Sequence, residues 1–154
     1  MKWITRERPK VDRIACPWLI RRFIDPDAEI LYVPAAQVLD VAAREGGHSF
    51  DAAGARYSHR RRPDGRQWCT FETLIDEYSL GDDPALVKLA AIVHAADIAD
   101  DVDSHPFGPA LRAIGDAGAR VEEDDQRLLD RASFVYDALY AYCQKTALVQ
   151  KDVP

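Results

Sequence analysis

The chain has 154 residues, about one domain's worth, and at 47% hydrophobic and 30% charged residues its composition excludes a disordered, fibrous or low-complexity protein. No apolar run approaches the ~18 to 20 residues of a membrane span, and the opening Met1–Lys10 has no apolar stretch behind its basic residues, so a cytoplasmic protein without membrane contact is expected. The net charge of −6 hides an asymmetry: residues 1–66 carry 13 Lys+Arg against 9 Asp+Glu, and residues 67–154 carry 7 against 17.

Lys2-Trp3-Ile4-Thr5 reads as a short strand. Ile14, Trp18, Leu19, Phe23 and Ile24 then recur at helical spacing with Arg21 and Arg22 on the other face, which predicts an amphipathic helix over residues 17–24 with Pro17 at its first position. The alternative is a helix that begins at an Asp12 cap and kinks at Pro17. Glu29 to Val33 reads as a strand closed by Pro34, and Val38, Leu39, Val41 and Ala42 as a short helix ended by Gly46-Gly47. From Ser49 to Thr70 the pattern becomes short alternating stretches punctuated by Gly54 and Pro63-Asp64-Gly65, the chemistry of a hairpin.

Thr70 is placed to cap a helix in which Phe71, Leu74, Ile75 and Tyr78 share a face. Asp83-Pro84 opens another, with Leu86, Leu89, Ala90, Val93 and Asp97 at 3–4 spacing. A short helix is expected around Leu111 and Ile114, and the longest, amphipathic one from about Glu122 to Gln144. Without an internal repeat or linker, the expectation is a single α+β domain over residues 1–154, helix-rich, with a small β-sheet and hairpin region. The apolar face of the final helix leaves room for a homodimer.

Chemistry-bearing residues gather between Tyr57 and Asp97. His94 and Asp97 are three apart on a predicted helix, Glu72 lies in the first turn of the helix before it, and His59 sits on the hairpin. Two imidazoles and two carboxylates make a site for a divalent transition metal (zinc, iron, manganese or nickel) with a position left for water or substrate. Against this stands the duller reading, in which His94 is a hydrogen-bonded boundary residue, Asp97 begins a solvated acidic end with Asp100, Asp101 and Asp103, and Glu72 complements a helix dipole. His48 and His105 lie in loops and read as surface residues.

The three cysteines are far apart, form no C-x-x-C pair and so argue against a disulfide scaffold. Cys16 adjoins a predicted helix start near Arg13, Arg21 and Arg22, surroundings that would favour a redox-active thiolate; its plain alternative is a small buried residue. Cys69, between Trp68 and Phe71, is expected to pack beside the site, and Cys143 to pack in the last helix. The arginines suit planar recognition of a small oxyanion, whereas an acidic chain without basic–aromatic interleaving is a poor nucleic-acid binder.

Several runs resemble the chromate-resistance protein ChrB C-terminal domain family. They are Trp3-Ile4-Thr5-Arg6, the stretch Val11 to Ala28, Phe50-Asp51 with Tyr57-Ser58-His59, Cys69-Thr70-Phe71-Glu72, Ile92 to Ile98, and Tyr136 to Tyr140. The resemblance spans nearly the whole chain and implies a link to chromate or metal-oxyanion stress. In that family the region expected to bind DNA precedes this domain, so no direct DNA contact is expected from these residues. His59, Glu72, His94, Asp97, Asp12 and Arg13 all fall inside the matching motifs.

The leading expectation is a metal-binding sensor or accessory domain of stress response. His59, Glu72, His94 and Asp97 would hold one ion, Asp12 would fix Arg13, and Arg13 with Arg21 would face an oxyanion beside the metal. A metalloenzyme built on the same site, with Glu72 as general base, is the alternative.

Overall fold

The computed structural model describes residues 1–151 and gives a helix-rich α+β architecture. Strand β1 (Lys2–Arg6) lies at the centre of a parallel three-stranded sheet, between β2 (Glu29–Val33) and the short β3 (His48–Ser49). Ile4 pairs with Leu31 on one side and Ser49 on the other, and Trp3, Ile4 and Thr5 are all buried, as a strand covered on both faces requires. Helix α2 (Val38–Glu45) ends in the left-handed Gly46, and Gly47 passes so close to β1 that an added Cβ would lie 2.6 Å from the Lys2 carbonyl oxygen.

Helix α1 runs from Asp12 to Leu19 and widens into a π turn over Ile20–Ile24, where Asp25 N–H reaches the Ile20 carbonyl. Pro17 therefore lies inside the helix rather than at its first position. Its missing N–H leaves the Arg13 carbonyl without an intrahelical donor, and the Tyr32 hydroxyl of β2 donates to that oxygen at 2.6 Å. The helix does begin at Asp12, yet the Asp12 carboxylate does not cap it; it turns to another helix altogether.

The expected hairpin is present as β4 (Arg60–Arg61) and β5 (Gln67–Trp68), joined through Gly65 at φ +84°. Helix α3 (Thr70–Glu77) follows at once, with Cys69 rather than Thr70 in the capping position. Asp83 caps α4 (Pro84–Asp97) by accepting from Ala85 and Leu86 N–H, as Asp-Pro predicts. A 3-10 segment over Ala99–Ser104 leads to α5 (Gly108–Val121), longer than expected, and α6 (Asp125–Lys151).

Helix α4 is the hub, packing against α1, α3, α5 and α6. Its Leu86, Leu89, Ile92, Val93, Ala95 and Ala96 are buried almost completely. Each buried leucine contributes roughly 1.5–3 kcal/mol, so the helix is held from several sides. Helix α6 clamps α1 through Trp18, whose indole donates to Asp137 at 2.9 Å and packs on Tyr136 and Tyr140. This packing fixes the first residue of α1, the first turn of α3 and the last turn of α4 against one another. Among the described residues, no helix is long and apolar enough to cross a membrane.

Candidate metal centre

His59, just before β4, points its Nε2 at three carboxylates: Asp97 at 3.0 Å, Asp12 at 3.4 Å and Asp51 at 3.5 Å. Each comes from a different element. Asp97 ends α4, Asp12 begins α1, and Asp51 follows β3 with a left-handed backbone, φ +47°. The first residue of α3 holds two of them: Thr70 N–H donates to Asp12 Oδ2 at 2.7 Å and Thr70 Oγ1 to Asp51 Oδ1 at 2.8 Å. Anions at a helix N-terminus are stabilised by its unpaired amides, which accounts for their gathering there.

Asp12 and Asp51 differ in how their charge is met. Asp51 is contacted at Oδ2 by Arg6 at 3.1 Å and Arg13 at 3.3 Å. Burial works against its charge, but His59, Thr70 and the two guanidiniums outweigh it and hold the Asp51 carboxyl well below the usual range. Asp12 is 2% exposed, has no guanidinium within contact, and keeps one oxygen, Oδ1, buried without a hydrogen-bond partner. Burial first, and then the neighbouring Asp97, push its pKa up. His59 moves far upward, held by Asp12 first and by Asp51 and Asp97 after it, so without a metal it carries the proton that balances the cluster.

A second cluster surrounds His94. Its Nδ1 lies 2.6 Å from Glu72 Oε2 and its Nε2 lies 2.7 Å from Asp101 Oδ2. Glu72 Oε2 also accepts from Cys69 N–H at 2.9 Å, closing the first turn of α3. Burial opposes a charged His94, but the bonds to Glu72 and Asp101 prevail and raise its pKa.

The four residues expected to hold one ion are thus divided between two clusters. His94 and Asp97 leave the same helix a turn apart, but Glu72 and the 3-10 segment meet His94 while the hairpin brings His59 to Asp97. Asp12 does not fix Arg13, since adjacent helical residues point about 100° apart; Arg13 turns to Asp51 and to the Arg8 carbonyl. Arg21 lies outside both clusters, 3.4 Å from the Ala28 carbonyl and 3.7 Å from Asp130.

Cys16 is buried, and burial together with Asp12 and Asp51 drives its thiol pKa well up, against the thiolate expected from nearby arginines. Cys69 is buried beside Glu72 and His94, and Cys143 is buried in α6; all three thiols are free. His48 packs on Trp3 and meets Arg56, while His105 accepts from Phe107 N–H. Asp51 and Asp101 were missed as site residues. Asp51 follows a strand in a positive-φ turn that no periodicity announces, and Asp101 reads in sequence as one of several solvated acids.

The sequence model of the family described as "ChrB, C-terminal domain" matches residues 3–143. "Protein ChrB" of Cupriavidus metallidurans is 33% identical over 141 residues, covering 92% of this chain and 40% of its own length. The chain therefore spans less than half the length of that curated relative. No solved structure matches it.

Proposed function

This chain belongs to the ChrB C-terminal domain family, and we propose that it serves chromate resistance as a cytoplasmic metal-binding domain, a sensor or accessory rather than a catalyst. The ion, a divalent metal such as manganese or iron(II), takes the place of the proton on His59 and is bound by His59, Asp12 and Asp97. The carrying observation is the buried, half-unpartnered Asp12 facing His59 and Asp97.

With the imidazole neutral, the charges of Asp12 and Asp97 match those of a divalent ion. Asp51 is already balanced by Arg6 and Arg13. An oxygen-rich set with one imidazole suits manganese or iron(II) better than a softer ion. Arg6, Ser58 and Gly54 line a depression of about 300 Å³ at His59, through which a small tetrahedral oxyanion such as chromate would reach an open coordination position. In this reading Arg6 takes the anion-facing role expected of Arg13 and Arg21.

The test is elemental analysis of untagged protein prepared without chelator, followed by anaerobic loading with manganese or iron(II). One equivalent should disappear in His59→Gln and in Asp97→Asn, with the far-ultraviolet circular dichroism of the fold retained. Unchanged metal content in both folded variants, or no uptake by the wild type, overturns the proposal.

A further inference from the structure

The cluster around His94 has the composition of a second, chemically different cation site. Cys69 Sγ, a Glu72 carboxylate oxygen and a His94 ring nitrogen all lie within 4.8 Å of one another. In a tetrahedral zinc-like site the corresponding donor–donor separations are about 3.5 Å, so His94 Nδ1 and Glu72 Oε2, now 2.6 Å apart, open by roughly 1 Å to admit the ion, within reach of side-chain rotation. We propose that Cys69, Glu72 and His94 bind a borderline-soft divalent cation of the zinc or cobalt(II) class, separately from the ion at His59.

An independent feature of the geometry supports the assignment. Asp101 lies 2.7 Å from His94 Nε2, the nitrogen turned away from Glu72. A metal-bound imidazole commonly donates its other N–H to a carboxylate, which fixes the tautomer and the ring plane and strengthens the ligand. Here Asp101 would hold Nε2–H, and Nδ1, now 2.6 Å from Glu72, would face the ion. The Nδ1 proton and the Cys69 thiol proton leave as the metal enters, so binding releases protons.

The donor set also explains why the two clusters do not compete for one ion. Thiolate and imidazole donors favour zinc and cobalt(II), whereas Asp12 and Asp97 with His59 form an oxygen-rich set. The second site opens on a cleft of about 650 Å³ whose walls include Arg61, Arg66 and Trp68. That cleft supplies a route for the ion and a place for a fourth ligand, and the two guanidiniums favour an anion or hydroxide there over a second cation.

The inference rests on neither His59 nor Asp97, so it is separable from the function proposed above. Metal-free protein is titrated with cobalt(II) chloride while the near-ultraviolet sulfur-to-cobalt charge-transfer band and the visible spectrum are recorded. The wild type should develop the band and take up two equivalents. Cys69→Ser and His94→Gln should each lose one equivalent, and Cys69→Ser should abolish the band with its melting temperature retained. His59→Gln should keep the band and its equivalent. No band in the cobalt-loaded wild type, or a band that survives in folded Cys69→Ser, overturns the inference. A band and a single equivalent unchanged in His59→Gln would uphold it while refuting the oxygen-rich site.

Discussion

The two histidine clusters both meet the first turn of α3 and the last turn of α4, yet answer the cost of burying charge in different ways. Around His59 the carboxylates are crowded, Asp12 and Asp51 are buried and Asp97 is half-buried, and only Asp51 is matched by arginine. Around His94 the acids are partly exposed and each grips one ring nitrogen. The difference is one of depth. A carboxylate held under α1 and α3 cannot be relieved by water and needs a cation, while Asp101 at the surface orients a ring and remains solvated.

Truncating the best-paired buried acid gives the largest expected break in this contrast. Asp51→Ala leaves Arg13 and Thr70 Oγ1 without their partner and should cost about 3–5 kcal/mol in urea unfolding. A loss below ~1 kcal/mol would mean that the guanidiniums find water instead. The exposed counterpart, Asp101→Ala, should leave stability nearly unchanged yet weaken cobalt(II) binding at His94 by about 10–100-fold. Equal affinities in a competition titration would remove Asp101 from any positioning role.

A smaller effect is expected at Asp12. In metal-free protein Asp12→Asn keeps an acceptor for Thr70 N–H and removes a charge crowded by Asp97, so stability should change by less than about 1 kcal/mol. A loss several times larger would place the balance with the His59 pair. The smallest effect belongs to Asp25, outside both clusters, whose pKa is lowered chiefly by the hydrogen bond from the Trp3 indole. A carboxylate with a depressed folded pKa contributes stability above its unfolded value of ~3.9 and loses it as pH falls through the folded one. The melting-temperature gap between wild type and Asp25→Asn should therefore narrow from pH 7 to pH 3; a constant gap contradicts the assignment.

Most of the element order was legible along the chain. Asp83-Pro84 marked the start of α4, Gly46-Gly47 the end of α2, and Pro63-Asp64-Gly65 the hairpin, because caps and turns are read from neighbours in sequence. Pro17 misled: a proline inside a helix is costly unless something meets the orphaned carbonyl, and Tyr32 lies fifteen residues away on another element. The candidate ligands were legible as residue types, since histidines and acids stand out against an apolar period.

By itself the sequence determined the helix-rich α+β class, the family resemblance, and a stock of His, Asp, Glu and Cys side chains around α3 and α4. Only the tertiary structure decided which of them meet. His94 and Asp97 are one helical turn apart, yet the elements packed around that turn, the hairpin on one side and the 3-10 segment on the other, assign them to different partners. Local periodicity fixes the face a side chain leaves from; the depth and partners that set its charge come from segments distant in the chain, where no spacing rule reaches.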